Sequence, residues 1–437
     1  MWVRRYWLPV PLFMLGAGLI MSSGPLIGLG AFMLMAGLVG KTWSEHVFDR
    51  LRFERRIPEN RAFAGEKFHM TLRLVNDKLL PIPWIEMRDL VPEQLPANEE
   101  RLAPSGSPGQ LYLTRSTHLG WYERVSWPLE LDAPVRGYYR FGPTRFRSGD
   151  IFGFFPAETE NDEHTAVVVY PTTYTLPELG LPAERPFGES KGRDRIFEDP
   201  GRIAGLRDYR PEDSLRRIDW KASARRMELQ SRVYEPSSTL HMLIAVNVHT
   251  LAHTWEGYVP ETLERVLSVA GSVARYGFEA GYAIGLVANG AYPTSDRPMR
   301  VPVGRRADQL ARILEALAVV GPLTMTSLHQ VIEREAQSFP FGATLVCVTA
   351  RMDDPLAASL RRVRDAGHSV TVLSLAEEPF QQDLGKVRFY DLNAAIGSLE
   401  ARAGSAGASA PEPPISRVWR EIERLGGQPG SGGDAGR

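Results

Sequence analysis

At 437 residues the chain is too long for one ordinary hydrophobic core, so two globular domains are expected besides any membrane segment. Lysine and arginine total 51 against 52 aspartate and glutamate, a formal charge of -1, which leaves no global field to draw the protein to nucleic acid. The lone cysteine, Cys347, excludes a disulfide framework and a cysteine-based metal site, and in Ala343-Thr344-Leu345-Val346-Cys347-Val348-Thr349 it reads as inert core on a strand.

From Trp7 to Gly40 no side chain is charged, and the stretch is interrupted only by Ser22-Ser23-Gly24-Pro25. Two apolar spans joined by a tight turn are predicted, a transmembrane hairpin over residues 1–41. Its roughly 34 residues give about 25 Å per half, slightly under a hydrocarbon core of about 30 Å. Pro9 and Pro11 suit the first turn of the first span, and Gly24 and Gly28 offer small faces for close helix contact. Arg4 and Arg5 precede the spans, while Lys41, Arg50, Arg52, Arg55 and Arg56 follow them, and the turn carries no basic residue. The positive-inside rule then puts both ends in the cytoplasm. A secretory signal peptide fits less well, because no small-x-small cleavage site stands out and a second apolar span follows at once. One long tilted helix would have to carry Ser22-Ser23-Gly24-Pro25 through the bilayer centre.

Residues 50–165 alternate apolar and polar positions in short runs, as in Phe68-His69-Met70-Thr71-Leu72-Arg73-Leu74-Val75 and Val125-Ser126-Trp127-Pro128-Leu129-Glu130-Leu131. Turn signals such as Asn76-Asp77-Lys78, Ala103-Pro104-Ser105-Gly106 and Ser148-Gly149-Asp150 separate the runs, and a β-sandwich is expected. The carboxylates Glu99-Glu100 and Glu158 to Glu163 read as solvated loops rather than an acid/base pair. Residues 166–235 form a connecting segment. Over 236–395 the texture becomes α/β: strands at Leu240–Val248, Gly281–Ala288, Ala343–Thr349 and Ser369–Leu375 alternate with helices at Glu261–Tyr276, Arg305–Val319, Leu328–Ala336 and Pro355–Ala366. That order predicts an open, mostly parallel sheet with helices on both faces. Residues 396–437 read as a flexible tail, Gly- and Pro-rich from Gly404 to Pro414, with one further helix at Ile415–Leu425.

Within the connecting segment, Gly205 to Arg226 interleaves acids and bases around Tyr209, Leu215, Ile218 and Trp220. Asp213 or Ser214 can cap a short helix that puts Leu215 and Ile218 on one face. Three readings stand side by side. The arginines could form a patch for nucleic acid, against which the local acids nearly balance the bases. Tyr209 and Trp220 could pack in a domain junction whose geometry Arg207, Asp213, Arg216, Asp219 and Arg225 fix through bidentate pairs. Or exposed Arg, Tyr and Trp could anchor a protein partner.

The same segment resembles the signature of the domain of unknown function 58 family, through Arg207-x-Tyr209, Asp213, Arg216-x-Ile218-x-Trp220 and Ala224-Arg225; the family's usual glycine before the aspartate is here Glu212. A second likeness lies in Arg136-Gly137-Tyr138-Tyr139-Arg140-Phe141-Gly142-Pro143, continuing to Asp150-Ile151-Phe152-Gly153-Phe154-Phe155. With the hairpin and the β-rich domain, the resemblance extends to about residue 395. It implies a von Willebrand factor type A-like fold for the second domain. It also implies the company of MoxR-type AAA+ ATPases, which such proteins are thought to help act on client proteins.

Domains of that fold often hold Mg²⁺ through Asp-x-Ser-x-Ser after the first strand, where carboxylate and hydroxyl oxygens cluster around a hard ion. The matching positions are Asn247, His249 and Leu251, a poor oxygen set, and neither His241 nor His253 has a spacing that compels a softer metal. No metal or other cofactor is therefore expected. Gly188-Glu189-Ser190-Lys191-Gly192 lacks the spacing of a phosphate-binding loop, and neither a Gly-x-Ser-x-Gly elbow nor a His-Glu-x-x-His helix occurs. The expectation is a non-enzymatic scaffold at a bacterial plasma membrane that docks a protein, an AAA+ ATPase by the resemblance, and binds no nucleic acid. The competing expectation is a hydrolase or metal-dependent enzyme whose residues converge only in three dimensions.

Overall fold

The computed structural model describes residues 6–95, 102–182, 186–187, 197–211, 213–237, 240–251, 256–292, 295–322, 326–340 and 342–405. The chain divides into two compact units, Met1–Tyr170 and Pro171–Arg437.

The first unit begins with two apolar helices, α1 (Pro9–Ile20) and α2 (Gly24–Glu45). Pro9 opens α1, where its missing N–H goes unnoticed, and left-handed Ser22 reverses the chain. The spans expected to be equal are not: α1 has 12 residues, about 18 Å at the helical rise, and α2 has 22, about 33 Å. By length and composition α2 can cross a membrane. The helices meet at Gly18 and Gly30, where an added Cβ would lie 2.9 Å from Ile27 Cγ1 and 2.9 Å from Leu15 Cγ. Gly24 and Gly28, singled out from sequence for this contact, border open space. Residues two apart on a helix do not share a face, so Gly28 cannot join Gly30 at the crossing.

Among the described residues eleven strands follow: β1 (Leu51–Arg56), β2 (Arg61–Phe63), β3 (Glu66–Asn76), β4 (Ile82–Pro92), β5 (Leu102–Pro104), β6 (Gln110–Leu119), β7 (Arg124–Ala133), β8 (Gly137–Phe141), β9 (Thr144–Gly149), β10 (Pro156–Asn161) and β11 (Thr165–Tyr170). They form three sheets, ordered β1-β3-β7, β10-β9-β4-β6-β5 and β2-β11-β8. Period-two alternation drives this region: Phe68, Met70, Leu72 and Leu74 of β3 all turn inward and join Ile85, Met87, Leu113, Leu131, Phe141 and Phe146 in one core. In that core Arg55 and Asp89 form an ion pair with no exposed side-chain surface. Thr144 Oγ1 donates to Asp89 Oδ1 at 2.7 Å, and Arg55 also donates to the Phe141 and Glu163 carbonyls at 3.4 and 3.3 Å. Arg55 is thus a tie between sheets, not one of the exposed charges flanking the apolar helices. Glu158 and Glu160, expected in a loop, lie on β10.

In the second unit β12 (Phe197–Asp208) and β13 (Gln230–Ser237) pair as an antiparallel ribbon that encloses a 3-10 turn, Leu215–Arg217, and the short α3 (Trp220–Arg226). An α/β domain follows in the order β14 (His241–Val246), α4 (Pro260–Glu279), β15 (Ala283–Tyr292), β16 (Ser295–Gly304), α5 (Gln309–Val319), α6 (Leu328–Ala336), β17 (Thr344–Thr349), α7 (Asp354–Asp365), β18 (Ser369–Ser374), β19 (Arg388–Asp391) and α8 (Asn393–Ser405). Its sheet runs β16-β15-β14-β17-β18-β19, parallel except for the antiparallel edge β16. Successive residues of β14 face opposite sides. Leu243 and Ala245 pack with Leu328, Ile332, Leu356 and Leu360 of α6 and α7, while Met242 lies against Gly277 of α4. Cys347 is fully buried in this core, and burial pushes its thiol up to about 12. Helix α8 runs through the start of the expected tail at 396; the helix expected at Ile415–Leu425 lies outside the described residues.

Candidate functional site

An open parallel sheet has a crevice where neighbouring strands send the chain off in opposite directions, at their carboxyl ends. Here those strands are β14, whose chain continues to β15 on one side, and β17, whose chain continues to β18 on the other. Asn247 follows β14 at this point and is 5% exposed. Its Nδ2 donates to Thr349 Oγ1 at 3.0 Å and to the Arg351 carbonyl at 3.1 Å. Its Oδ1 accepts from His249 N at 3.2 Å and from Asn289 Nδ2 at 3.0 Å, and Asn289 Oδ1 accepts from Val248 N at 2.8 Å. All four hydrogen-bonding places of the Asn247 amide are thereby taken by the chain itself. His249 is half-buried, with no hydrogen-bond partner at Nε2 among the described residues. Burial pulls its pKa below the usual histidine value, the nearby Asp353 carboxylate favours the charged form and Arg351 opposes it. Leu251 contributes no ligand atom, and His253 lies outside the described residues. Among the described residues no three His, Cys, Asp or Glu side chains gather as a metal site.

The other sequence-predicted residues sit on the β12–β13 ribbon. Asp213 does not cap a helix: its Oδ1 accepts from Arg207 Nη2 at 2.6 Å and its Oδ2 from Arg210 N at 3.1 Å. The cap is Asp219, whose Oδ1 accepts from Ala222 N at 3.0 Å while Oδ2 accepts from Arg232 Nε at 3.0 Å. Both carboxyls are held below the usual range, Asp213 first by the Arg210 amide and Asp219 first by the Ala222 amide. Tyr209 N donates to the Leu229 carbonyl at 2.9 Å, and its side chain is half-buried. Buried Gln230 ties the ribbon to its loop, since Nε2 donates to Asp208 Oδ1 and the backbone N to Ser223 Oγ, both at 2.8 Å. Sequence reasoning missed Gln230, Ser223 and Arg232, which become partners only through strand register.

Leu215 and Ile218 do not share a face. Helix begins only at Trp220, and the preceding 3-10 turn leaves Leu215 68% exposed with Ile218 buried. Trp220, which one of the three readings packs in a junction, is 67% exposed, and Met227, left-handed at the end of α3, is 89% exposed. Arg225 is exposed as well. The side chain of Arg216 lies outside the described residues.

A groove of about 370 Å³ on the first unit is lined by Glu86, Arg88, Arg145, Arg147, Glu158 and Glu160. Its charges are matched in pairs, Arg145 with Glu160 at 3.3 Å and Arg147 with Glu158 at 3.5 Å, so it holds no isolated acid or base of the kind proton transfer needs.

Residues 205–398 match the model of a family described as protein of unknown function DUF58. An uncharacterized protein of Bacillus subtilis (strain 168), YeaD, is 23% identical over 261 residues, which span 59% of this chain and 60% of the relative. The match therefore covers less than two thirds of that protein. Among solved structures, the CARDB domain of a Pyrococcus furiosus protein is 15% identical over 27% of this chain and 86% of its own, with a TM-score of 0.19. A cohesin module of a Clostridium perfringens family 33 glycoside hydrolase is 12% identical over 27% of this chain and 96% of its own, also at 0.19. Scores this low support no conclusion about fold or function.

Proposed function

We propose that this chain is a non-enzymatic, membrane-anchored adaptor. The helical hairpin holds it in a bacterial plasma membrane with both ends cytoplasmic, the β-rich unit is a sandwich acting as a spacer, and a von Willebrand factor type A-like domain presents the β12–β13 ribbon to a protein partner. That partner is a MoxR-type AAA+ ATPase.

The observation that carries the reading is the exposure of Trp220 on a segment whose backbone is pinned by Asp213, Asp219 and Gln230. A large aromatic held out by a rigid frame, with Leu215 and Met227 also exposed, has the chemistry of an interface anchor and loses little side-chain freedom on binding. The self-satisfied Asn247 cluster supports a non-enzymatic role, since its polar groups are engaged with one another.

The test is affinity purification of the full-length protein from solubilised membranes. An AAA+ ATPase should copurify with the unaltered chain and be lost with Trp220→Ala, while thermal unfolding is unchanged. Retention of the ATPase by that variant would make the segment a structural element. A reporter fused after Leu425 should be inaccessible from outside intact cells; an accessible one would reverse the topology.

A further inference from the structure

The first unit carries a second group of exposed large apolar side chains, and they gather on loops seated directly against the apolar helices. Residues 150–155 rest on the last turns of α2. Ser44 Oγ donates to the Phe155 carbonyl at 2.6 Å, the Trp7 ring meets Phe155 edge-on at 5.7 Å, and a Cβ on Gly40 would come within 3.3 Å of both Phe155 and Asp150. Buried Asp150 cinches this loop, accepting from Phe152 N at 2.9 Å and Phe155 N at 2.6 Å. Phe155 is thereby drawn inward and its neighbours turned out: Ile151, Phe152 and Phe154 are 57%, 53% and 41% exposed, the two phenyl rings stacked on each other at 5.6 Å.

Two further loops sit on the residues that follow α2. Lys78 Nζ donates to the Val47 and Asp49 carbonyls, both at 2.6 Å, Asp77 N donates to the Arg50 carbonyl at 3.1 Å, and Tyr122 N donates to the Lys78 carbonyl at 3.3 Å. They carry Leu79, Trp121 and Tyr122, each more than 60% exposed. The uncharged stretch ends at Gly40, the residue against which Asp150 and Phe155 lie, and Lys41 Nζ stands 5.5 Å from the Trp7 ring there. That level is where hydrocarbon gives way to headgroups, and aromatic side chains favour it.

We propose that Ile151, Phe152 and Phe154 dip into the lipid interface, with Leu79, Trp121 and Tyr122 at headgroup level, so that the β-rich unit is clamped to the bilayer and not merely tethered to it. This rests on the reading of α1 and α2 as a membrane hairpin. Their partner is a lipid surface, because these loops are continuous with the end of the apolar span.

The test uses the full chain reconstituted in phosphatidylcholine–phosphatidylglycerol vesicles. Cys347 is the chain's single cysteine and is buried, so an environment-sensitive fluorophore can be placed selectively at Phe152→Cys or Trp121→Cys. Phe32→Cys on α2, 60% exposed, serves as the membrane reference, and Tyr138→Cys on β8, 57% exposed, as the reference on a sheet that contributes none of the three loops. Spin-labelled lipid should quench probes at 152 and 32, with a blue-shifted emission at both, and should quench the 138 probe far less. The label at 152 should respond best to shallow quenchers. Quenching at 152 and 121 no greater than at 138, with 32 still quenched, overturns the clamp and leaves the anchor standing. Loss of quenching at 32 overturns both. Quenching at 152 that disappears when protein is diluted in lipid would mean a second copy covers the loop, which also overturns the proposal.

Discussion

Arg55 and Asp89 in the first unit form an ion pair with no exposed side-chain surface, whereas Asn247, Asn289 and Thr349 in the second make a buried cluster from neutral groups. Burial holds the Asp89 carboxyl above its ordinary value, with Arg55 and Thr144 opposing the shift, so the pair depends on the completeness of its bonding. The neutral cluster exchanges hydrogen bonds made in water for hydrogen bonds within the chain, and each member can be lost at the expense of its own partners only. A charged tie binds β1, β4 and β9 across sheets where displacement is costly; a neutral one shapes the ends of parallel strands already joined by their ladders.

Removing one partner should separate the two kinds of cluster most sharply. Asp89→Ala strands the Arg55 guanidinium in the core and should destabilise the first unit by about 3–5 kcal/mol, read from denaturant unfolding of the full chain. A loss well under that range would show that water reaches Arg55 and that the pair is not the tie described. Asn247→Ala leaves Asn289 and Thr349 short of partners and should destabilise the second unit by about 1–3 kcal/mol. A neutral result would mean that the amide cluster is replaceable and that its crevice has room for a ligand.

The pH response tests the same neutral site. The His249 pKa in the folded chain is depressed below the ordinary 6.5, so the unfolded chain binds the proton more readily. Stability from this group is intact above 6.5 and is lost as the pH falls from there through the lowered value. Hydrogen-exchange protection of β14 should therefore weaken across that window, and His249→Gln should flatten the dependence. The smallest effect is expected at Trp220, where truncation of an exposed side chain to alanine should shift stability by less than about 0.5 kcal/mol. A larger loss of stability in Trp220→Ala would reveal packing that its exposure conceals.

The parallel sheet was legible because Leu243 to Val246 and Leu345 to Val348 are uninterrupted apolar runs flanked by amphipathic helices, a pattern few other folds satisfy. The edge strand β16 was not assigned, since Pro298 and Pro302 weaken its strand pattern and pairing with β15 is what makes it strand. Alternation in β3 announced a half-buried strand, but the division into three sheets depends on long-range pairing such as β4 with β9. At the candidate site Arg207, Asp213 and Asp219 were visible as an interleaved charge run. Their geometry was hidden, because Arg232 and Gln230 arrive from the returning strand of the ribbon. Sequence spacing allowed a short helix capped by Asp213 or Ser214, where the chain instead makes one 3-10 turn after Ser214 and starts its α-helix at Trp220.

The borders of the six-stranded sheet have a consequence for recognition. On one side two prolines of β16 lack the N–H groups a visiting strand would need, and on the other β19 offers only four residues. Strand addition is thus a poor route for any macromolecule to grip this domain, and selectivity must come from contours and side-chain chemistry, which single substitutions can retune.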